Sequence, residues 1–302
     1  MSWLFDLIRA GLEQLANLNI LPTAFYFEFV SNAVIAALII GPLLGVLGTM
    51  VVVKRMAFFS QAVGNAALTG VSIGVLLGES YTAPYVSMFG FCLLFGVILK
   101  YTQQRTSLSN DVLIGVFLSI SLALGSSLLL FVSARMNTHI LEAILFGSIL
   151  TVSHTDLNIL VAVAVLCAAV GLPLYNPMLL GSVSPSLAGA RGVNVRLNEY
   201  VFVILLTLVT AACVKIVGAV LVEALLVIPA AAARNVSRSI GQFVAWSVAI
   251  ATVSGVAGIV LPMQFDLPVP SGGAIILVAA LIFGVTAVIR NSFVVFRTQG
   301  AV

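Results

Sequence analysis

Charged side chains are scarce in this sequence of 302 residues: only 8% are Asp, Glu, Lys or Arg, whereas 61% are hydrophobic. A soluble domain carries roughly 25% charged residues. Because no soluble core could bury this much apolar surface, the sequence predicts a protein whose solvent is largely lipid. The net charge of +3 is small and no basic patch is present, so the composition excludes nucleic acid as a partner.

Catalytic motifs are also missing. The three cysteines, Cys92, Cys167 and Cys213, are scattered through apolar runs, so we predict packing roles and neither a disulfide nor a thiolate metal site. No GxxxxGK[ST] phosphate loop is present, so the chain cannot be its own ATP motor. HExxH and GxSxG motifs and a paired-carboxylate site are absent too, which disfavours an intramembrane enzyme. We expect a non-catalytic chain with no permanently bound cofactor.

Long apolar segments dominate the sequence. A bilayer core of about 30 Å is crossed by a helix of about 20 apolar residues. The candidate spans are 31–53, 57–78, 84–99, 111–133, 157–175, 200–214, 216–233, 243–262 and 273–289. The sequence thus predicts an all-α, polytopic membrane helix bundle of eight or nine spans. Two passes must fit within 200–233, so one of them could be a short or broken helix. The apolar stretch 140–150 is too short to cross the membrane.

The basic residues predict the orientation, because cytoplasmic loops are enriched in Lys and Arg. With nine passes, ten of the thirteen fall on one side: Lys54, Arg55, Lys100, Arg105, Arg191, Arg196, Arg234, Arg238, Arg290 and Arg297. We therefore expect an outer N-terminus and a cytoplasmic C-terminal tail over 291–302. Apolar residues at helical spacing near the start predict an amphipathic interfacial helix within 1–27, followed by a transmembrane domain over 28–290.

The only histidines, His139 and His154, lie in the outer region 134–156 near Glu142 and Asp156. A surface metal contact is one interpretation of this pair. We favour two unrelated loop residues.

The longest charged stretch between spans is 181–199, on the side assigned to the cytoplasm. Ser184 could cap a short helix that has Pro185 at its first position.

Several sequence blocks together resemble the membrane subunit of the zinc, manganese and iron ABC importers, from about residue 31 to 290. The blocks are KRMAFFSQAVGNAALTGVSIGVLLG at 54–78, NDVLIGVFLSISLALG at 110–125, LFGSILTVSHTDL at 145–157, SPSLAGARGVNV at 184–195, VKIVGAVLVEALLVIPAAAAR at 214–234 and PSGGAIILVAALIF at 270–283. The resemblance implies a type II-like permease that moves a divalent metal, zinc or manganese, across the bacterial inner membrane. It also implies a second permease copy, a cytoplasmic ABC ATPase dimer and an extracytoplasmic metal-binding protein. The short helix would dock on the ATPase through Pro185, Leu187, Ala188, Ala190, Arg191 and Gly192.

The second span departs from that family. Its members typically carry an Asp and a His four residues apart in a pattern like GDALSHA, thought to touch the ion. Here the matching residues are Gln61 and Asn65, which share one helix face and are neutral oxygen donors. Some relatives have a His at the position where this chain has Ser119. These changes weaken a claim of tight zinc binding.

Glu223 departs in the opposite direction, because the family usually has a small or hydroxyl residue there. An ionisable residue inside a span costs roughly 3 kcal/mol on insertion scales, so it generally has a partner or a function. We hypothesise that Glu223 replaces the missing carboxylate and lines the cation path with Gln61 and Asn65. A structural contact to a neighbouring helix, or a protonated Glu, is the alternative.

Two rival transport functions stay open. The same architecture could carry a metal chelate or a small cofactor, which the loss of the Asp and His favours. An ion-coupled secondary transporter would need intramembrane charges, for which only Glu223 and Lys215 qualify, and it would need no docking helix.

Overall fold

The computed structural model describes residues 28–79, 84–133, 152–265 and 269–299, with the backbone alone at 129, 133 and 291–299. In these ranges the chain forms ten helices, of which nine are long and apolar enough to cross a membrane. The predicted all-α, multi-pass fold is confirmed. The helices are α1 (Glu28–Lys54), α2 (Phe59–Leu76), α3 (Tyr85–Arg105), α4 (Asn110–Ser133), α5 (His154–Val183), α6 (Pro185–Ala190), α7 (Val195–Val217), α8 (Ala219–Val236), α9 (Ile240–Gln264) and α10 (Ser271–Gln299).

The tightly spaced pair in 200–233 consists of two separate helices. Helix α7 has 23 residues and α8 has 18, and only Gly218 lies between them. Its φ of +87° is a left-handed conformation that glycine adopts without a Cβ penalty. Neither helix is broken, because the chain turns sharply at one residue that needs no side chain.

Other predicted boundaries shift. The fifth span extends beyond residue 175 to Val183, through Pro173 and Pro177. Helix α10 runs to Gln299, so the segment 291–302 begins as helix. The predicted interfacial helix in 1–27 and the apolar stretch 140–150 lie outside the described residues.

The chain divides into two compact units. The described parts are 28–52, 152–158, 224–265 and 269–299 in the first unit and 53–79, 84–133 and 159–223 in the second. In the first unit, glycines of α1 bring helix backbones close together. A Cβ at Gly45 would lie 2.7 Å from the Cα of Val248, and one at Gly48 would clash with the carbonyl oxygen of Leu226. Ser247 Oγ donates to the carbonyl of Gly45 at 2.7 Å. Small residues allow this close packing where lipid provides no hydrophobic drive between helices.

In the second unit, α2 packs against α3, α4 and α7. Cys92 Sγ lies 3.8 Å from the carbonyl oxygen of Val63, and a Cβ at Gly70 would lie 2.9 Å from the Cα of Met88. The cysteines Cys92, Cys167 and Cys213 are buried and free, in agreement with the packing role predicted for them.

We predict that Gly48→Ala lowers the free energy of unfolding by about 1–3 kcal/mol, the usual range for overpacking. The added methyl would meet the backbone carbonyl of Leu226, which cannot move by a change of rotamer. Gly90→Ala is the matched control, because a Cβ at Gly90 would meet no atom within 4 Å. Thermal unfolding of the purified variants in lipid nanodiscs measures the difference. Equal unfolding temperatures for the two variants would contradict this close α1–α8 contact.

Candidate functional site

Along the first fourteen residues of α2 the accessible positions are polar, whereas Ile73, Val75 and Leu76 near its end are accessible and apolar. From Phe59 to Ser72 every residue is buried except Gln61 and Asn65, which are partly accessible. They lie four residues apart, so their side chains project from one face, one above the other. A membrane helix that faced lipid there would present apolar side chains instead. Helix α2 therefore presents two amide groups on a face where lipid contact is unfavourable.

Helix α8 also has an accessible stripe, on which Glu223 is the ionisable residue between Val220 and Ala231 and Arg234 lies near the end. Val220, Glu223, Val227 and Ala231 recur at helical spacing and are all partly or fully accessible, whereas Leu221 and the residues on its side of the helix are buried. An ionisable group in a lipid-facing stripe would be expensive. Glu223 is partly accessible on this stripe, where contact with lipid would be unfavourable.

Helix α2 touches the first residue of α8 at Gly64. A Cβ at Gly64 would lie 2.7 Å from the Cβ of Ala219 and 3.6 Å from Cγ2 of Val214. We call this contact the Gly64 crossing. Gly64 falls between Gln61 and Asn65 in the sequence, and Glu223 lies one turn, about 6 Å, beyond Ala219. Gln61, Asn65 and Glu223 thus each lie within about one helical turn, along their own helices, of this contact in the second unit.

The donors at this crossing are two amide oxygens and one carboxylate. Such ligands suit hard divalent cations such as Mg²⁺, Ca²⁺ and Mn²⁺, whereas zinc favours imidazole and thiolate. Within the described ranges, no group of three or more His, Cys, Asp and Glu residues could hold a metal ion.

Ser119 faces away from this crossing. It is exposed on α4, where its hydroxyl donates to the carbonyl of Gly115 at 3.0 Å. The side of α4 that faces α2 carries Gly125, at which a Cβ would lie 3.3 Å from the carbonyl oxygen of Asn65. Ser121 shares that side and is buried, and two residues turn the helix by about 200°. The role of Ser119 as a metal ligand stays a prediction that the α2 contact does not support.

The segment expected to contact an ATPase forms the short helix α6, with Pro185 in its first turn. Ser184 has an extended backbone before it, although its hydroxyl does not cap the helix. Of the six residues predicted for this contact, five are exposed and one is buried: Pro185, Leu187, Ala190, Arg191 and Gly192 are exposed, and Ala188 is fully buried. Helix α6 therefore presents a surface on one side and is anchored on the other.

One long-range ion pair and one long-range histidine–carboxylate contact have no signal in the sequence. Lys100 Nζ lies 2.7 Å from Glu199 Oε2, and His154 Nε2 lies 3.1 Å from Glu28 Oε1. His154 begins α5 and contacts the start of α1, so the prediction that it is a loop residue is wrong. His139 and Glu142 lie outside the described residues, and that the two histidines are unrelated stays a prediction. The partners are 99 and 126 residues apart, so no local periodicity signals either pair.

Comparisons with known proteins agree with this architecture. A family model described as the ABC 3 transport family matches residues 26–290. The manganese import system permease protein ScaB of Streptococcus gordonii is 33% identical over 257 residues, which cover 85% of this chain and 90% of the relative. The high-affinity zinc uptake system membrane protein ZnuB of Haemophilus influenzae is 28% identical and covers 85% and 96%. A solved structure of PsaBC from Streptococcus pneumoniae in complex with Fab contains a similar chain, with 29% identity, a TM-score of 0.74, and coverage of 87% of this chain and 92% of that one.

If the polar face of α2 lines a hydrated path, cysteines placed there should react with a charged, water-soluble thiol reagent. We predict labelling of Gln61→Cys and Asn65→Cys and no labelling of Ala66→Cys, which is buried. Val97→Cys on α3 is the lipid-facing control, because it is exposed and a thiol in lipid ionises poorly. The assay counts reagent incorporated into the protein in membranes. Labelling of Val97→Cys without labelling of Gln61→Cys and Asn65→Cys would show that water does not reach this face of α2.

Proposed function

Because this chain belongs to the ABC 3 transport family, we propose that it is the membrane-spanning subunit of an ATP-driven importer of a divalent metal ion. The family match covers most of the chain, and its relatives include permeases of manganese and of zinc systems. The chain is a multi-pass membrane protein with nine candidate spans in the described ranges. The observation that carries the proposal is the set of oxygen donors at the Gly64 crossing, on helix faces that are otherwise buried or apolar.

In this proposal Gln61 and Asn65 replace part of the hydration shell of the ion, and Glu223 supplies the negative charge that attracts it. Neutral ligands bind weakly, which suits an ion that must leave the site as well as reach it. Alternating access exposes the crossing first to one side of the membrane and then to the other. A delivery protein outside the membrane would supply the affinity that the permease lacks.

The donor set favours manganese over zinc as the cargo. Carboxylate and carbonyl oxygens suit Mn²⁺, and the positions at which family members carry Asp and His are occupied here by Gln61 and Asn65. We accordingly propose Mn²⁺ as the first ion to test and Zn²⁺ as the second.

The proposed assembly contains a second copy of this permease, a cytoplasmic ABC ATPase dimer, and an extracytoplasmic metal-binding protein. The exposed surface of α6 would contact the ATPase through Pro185, Leu187, Ala190, Arg191 and Gly192, while buried Ala188 holds the helix in place. The basic residues support a bacterial inner-membrane location with the N-terminus outside and the C-terminus in the cytoplasm.

One rival cargo has specific support. The two amide groups of Gln61 and Asn65 could also bind the polar surface of a metal chelate or a small cofactor, which needs no strong anionic ligand. A secondary transporter has less support, because it has no ATPase subunit and therefore needs no docking helix such as α6.

The function is tested by deleting the gene and measuring cellular manganese, zinc and iron together by mass spectrometry in chelated medium. The proposal predicts a selective fall in manganese that the restored gene reverses. The strain should lack redundant importers. An unchanged content of all three metals would reject the free-ion cargo and favour a chelate or cofactor.

Replacing Glu223 separates the role of its charge from that of its volume. Glu223→Gln should lower the rate of manganese uptake by about tenfold or more, since loss of even an indirect ligand partner costs a metal site at least that much. Glu79→Gln is the matched control, because Glu79 accepts from the backbone N–H of Ser87 beyond the end of α2. Uptake is measured with radioactive manganese at equal permease levels. Wild-type uptake by Glu223→Gln would remove Glu223 from the path.

A further inference from the structure

A buried cluster of charges joins four helix ends in the second unit. Lys100 and Glu199 form an ion pair of 2.7 Å, with side chains only 11% and 32% exposed. Lys54 lies with its ammonium 5.3 Å from the centre of the Phe202 ring, one turn from Glu199. The side-chain amide of Asn110 approaches the carbonyl oxygen of Lys54 at 3.4 Å. The end of α1, the end of α3, the start of α4 and the start of α7 therefore meet at this cluster.

An ion pair in this position is a poor way to add stability. Removing two charges from water costs about as much as their attraction returns, and apolar side chains of similar volume often stabilise a protein equally well or better. Lys54 adds a second positive charge near Glu199. What the pair supplies is geometry, because it adds a charged contact near the start of α7 to the packing of α7 on α3, in which a Cβ at Gly96 would meet the side chain of Thr207.

Helix α7 is firmly attached to α6 on the side of the cluster that the charge pattern assigns to the cytoplasm. The N–H of Val193 donates to the carbonyl of Ala188 at 3.0 Å, and the side chain of Asn194 accepts from the N–H of Leu197 at 3.1 Å. Ala188 is fully buried. These contacts make α6 and the first turn of α7 a single rigid corner, and Glu199 follows in the next turn.

The opposite end of α7 reaches the Gly64 crossing. Val214 would contact a Cβ at Gly64 at 3.6 Å, and it lies fifteen residues, about 22 Å, beyond Glu199 along the helix. Ala219, the other partner of Gly64, begins the next helix after Gly218. Helix α7 is thus one continuous helix with a contact at each end. Its start adjoins α6 and carries Glu199 of the ion pair, and its end reaches the Gly64 crossing.

We propose that Glu199 and Lys100 are positioning residues for coupling: their ion pair holds α7 to α3 so that a displacement of α6 reaches the Gly64 crossing. The inference rests on the proposed function, in which α6 contacts the ATPase. A shift of α6 rotates α7 about the ion pair and changes the contact of Val214 with Gly64. Without the pair, α6 and α7 move against the rest of the unit and the displacement is dissipated before it reaches the crossing.

The test compares ATP hydrolysed with manganese transported by the whole importer, permease with its co-purified ATPase and binding protein, in proteoliposomes. Glu199→Gln should retain ATP hydrolysis while the number of Mn²⁺ ions moved per ATP falls by roughly fivefold or more, the lower part of the usual range of coupling between sites. The exchange of both residues, Lys100→Glu with Glu199→Lys, should restore the ratio in part, because the new lysine would also lie near Lys54. Arg196→Gln is the matched control, because Arg196 is exposed in the same part of α7.

Glu199→Asp is the second variant, for use if Glu199→Gln does not assemble. It keeps the negative charge on a shorter side chain, so the number of Mn²⁺ ions moved per ATP should lie between those of the wild type and Glu199→Gln. A wild-type ratio in Glu199→Gln or Glu199→Asp would overturn the proposal. Hydrolysis and transport falling in equal proportion, with no rescue by the exchange, would show a structural role only and would also overturn it. If wild-type proteoliposomes move no manganese, the proposed function has failed and not the positioning role.

Discussion

Lipid offers no hydrogen-bond partner, and the architecture follows from that single property of the solvent. Every backbone group in the bilayer must be satisfied within the protein, so the described chain is helical throughout its nine candidate spans. Helices in lipid gain little from hydrophobic association, so they pack by close approach at small residues. Gly45, Gly48, Gly64 and Gly70 provide these approaches, and each faces a backbone or a methyl group at a distance that no larger residue tolerates.

The same solvent limits where polar side chains can lie. Some polar groups are paired, as Lys100 is with Glu199, and some hydroxyls bond back to their own helix, as Ser119 does. Gln61, Asn65 and Glu223 are different, because they lie on partly accessible faces of helices that are otherwise buried or apolar. The proposed metal path accounts for all three, and the exchange of an Asp and His pair for neutral amides agrees with a hard ion that is held briefly.

The sequence predicted the number, type and approximate bounds of the spans, because hydropathy over twenty residues is a strong signal. It also predicted the short helix at Pro185, because proline at a first helical position has a local cause. It could not predict that Ser119 lies on the opposite side of α4 from Gly125, since the face of an apolar helix that turns inward depends on its neighbours. The contacts of Lys100 with Glu199 and of His154 with Glu28 could not be predicted for a related reason, because the partners come from distant parts of the chain. The position of Lys100 near a helix end is also explained by the enrichment of basic residues in cytoplasmic loops, so it does not indicate an ion pair. The split of 200–233 into two full helices depended on one glycine whose φ the sequence does not show.

The central claim is that a divalent ion meets oxygen donors at the Gly64 crossing. The most direct measurement is anomalous X-ray scattering from crystals of the permease soaked in Mn²⁺, recorded above and below the manganese absorption edge. The account predicts an anomalous peak within coordination distance of the Glu223 carboxylate and of the amide oxygen of Gln61 or Asn65. A manganese peak elsewhere in the membrane-spanning region, with none at this crossing, would contradict it.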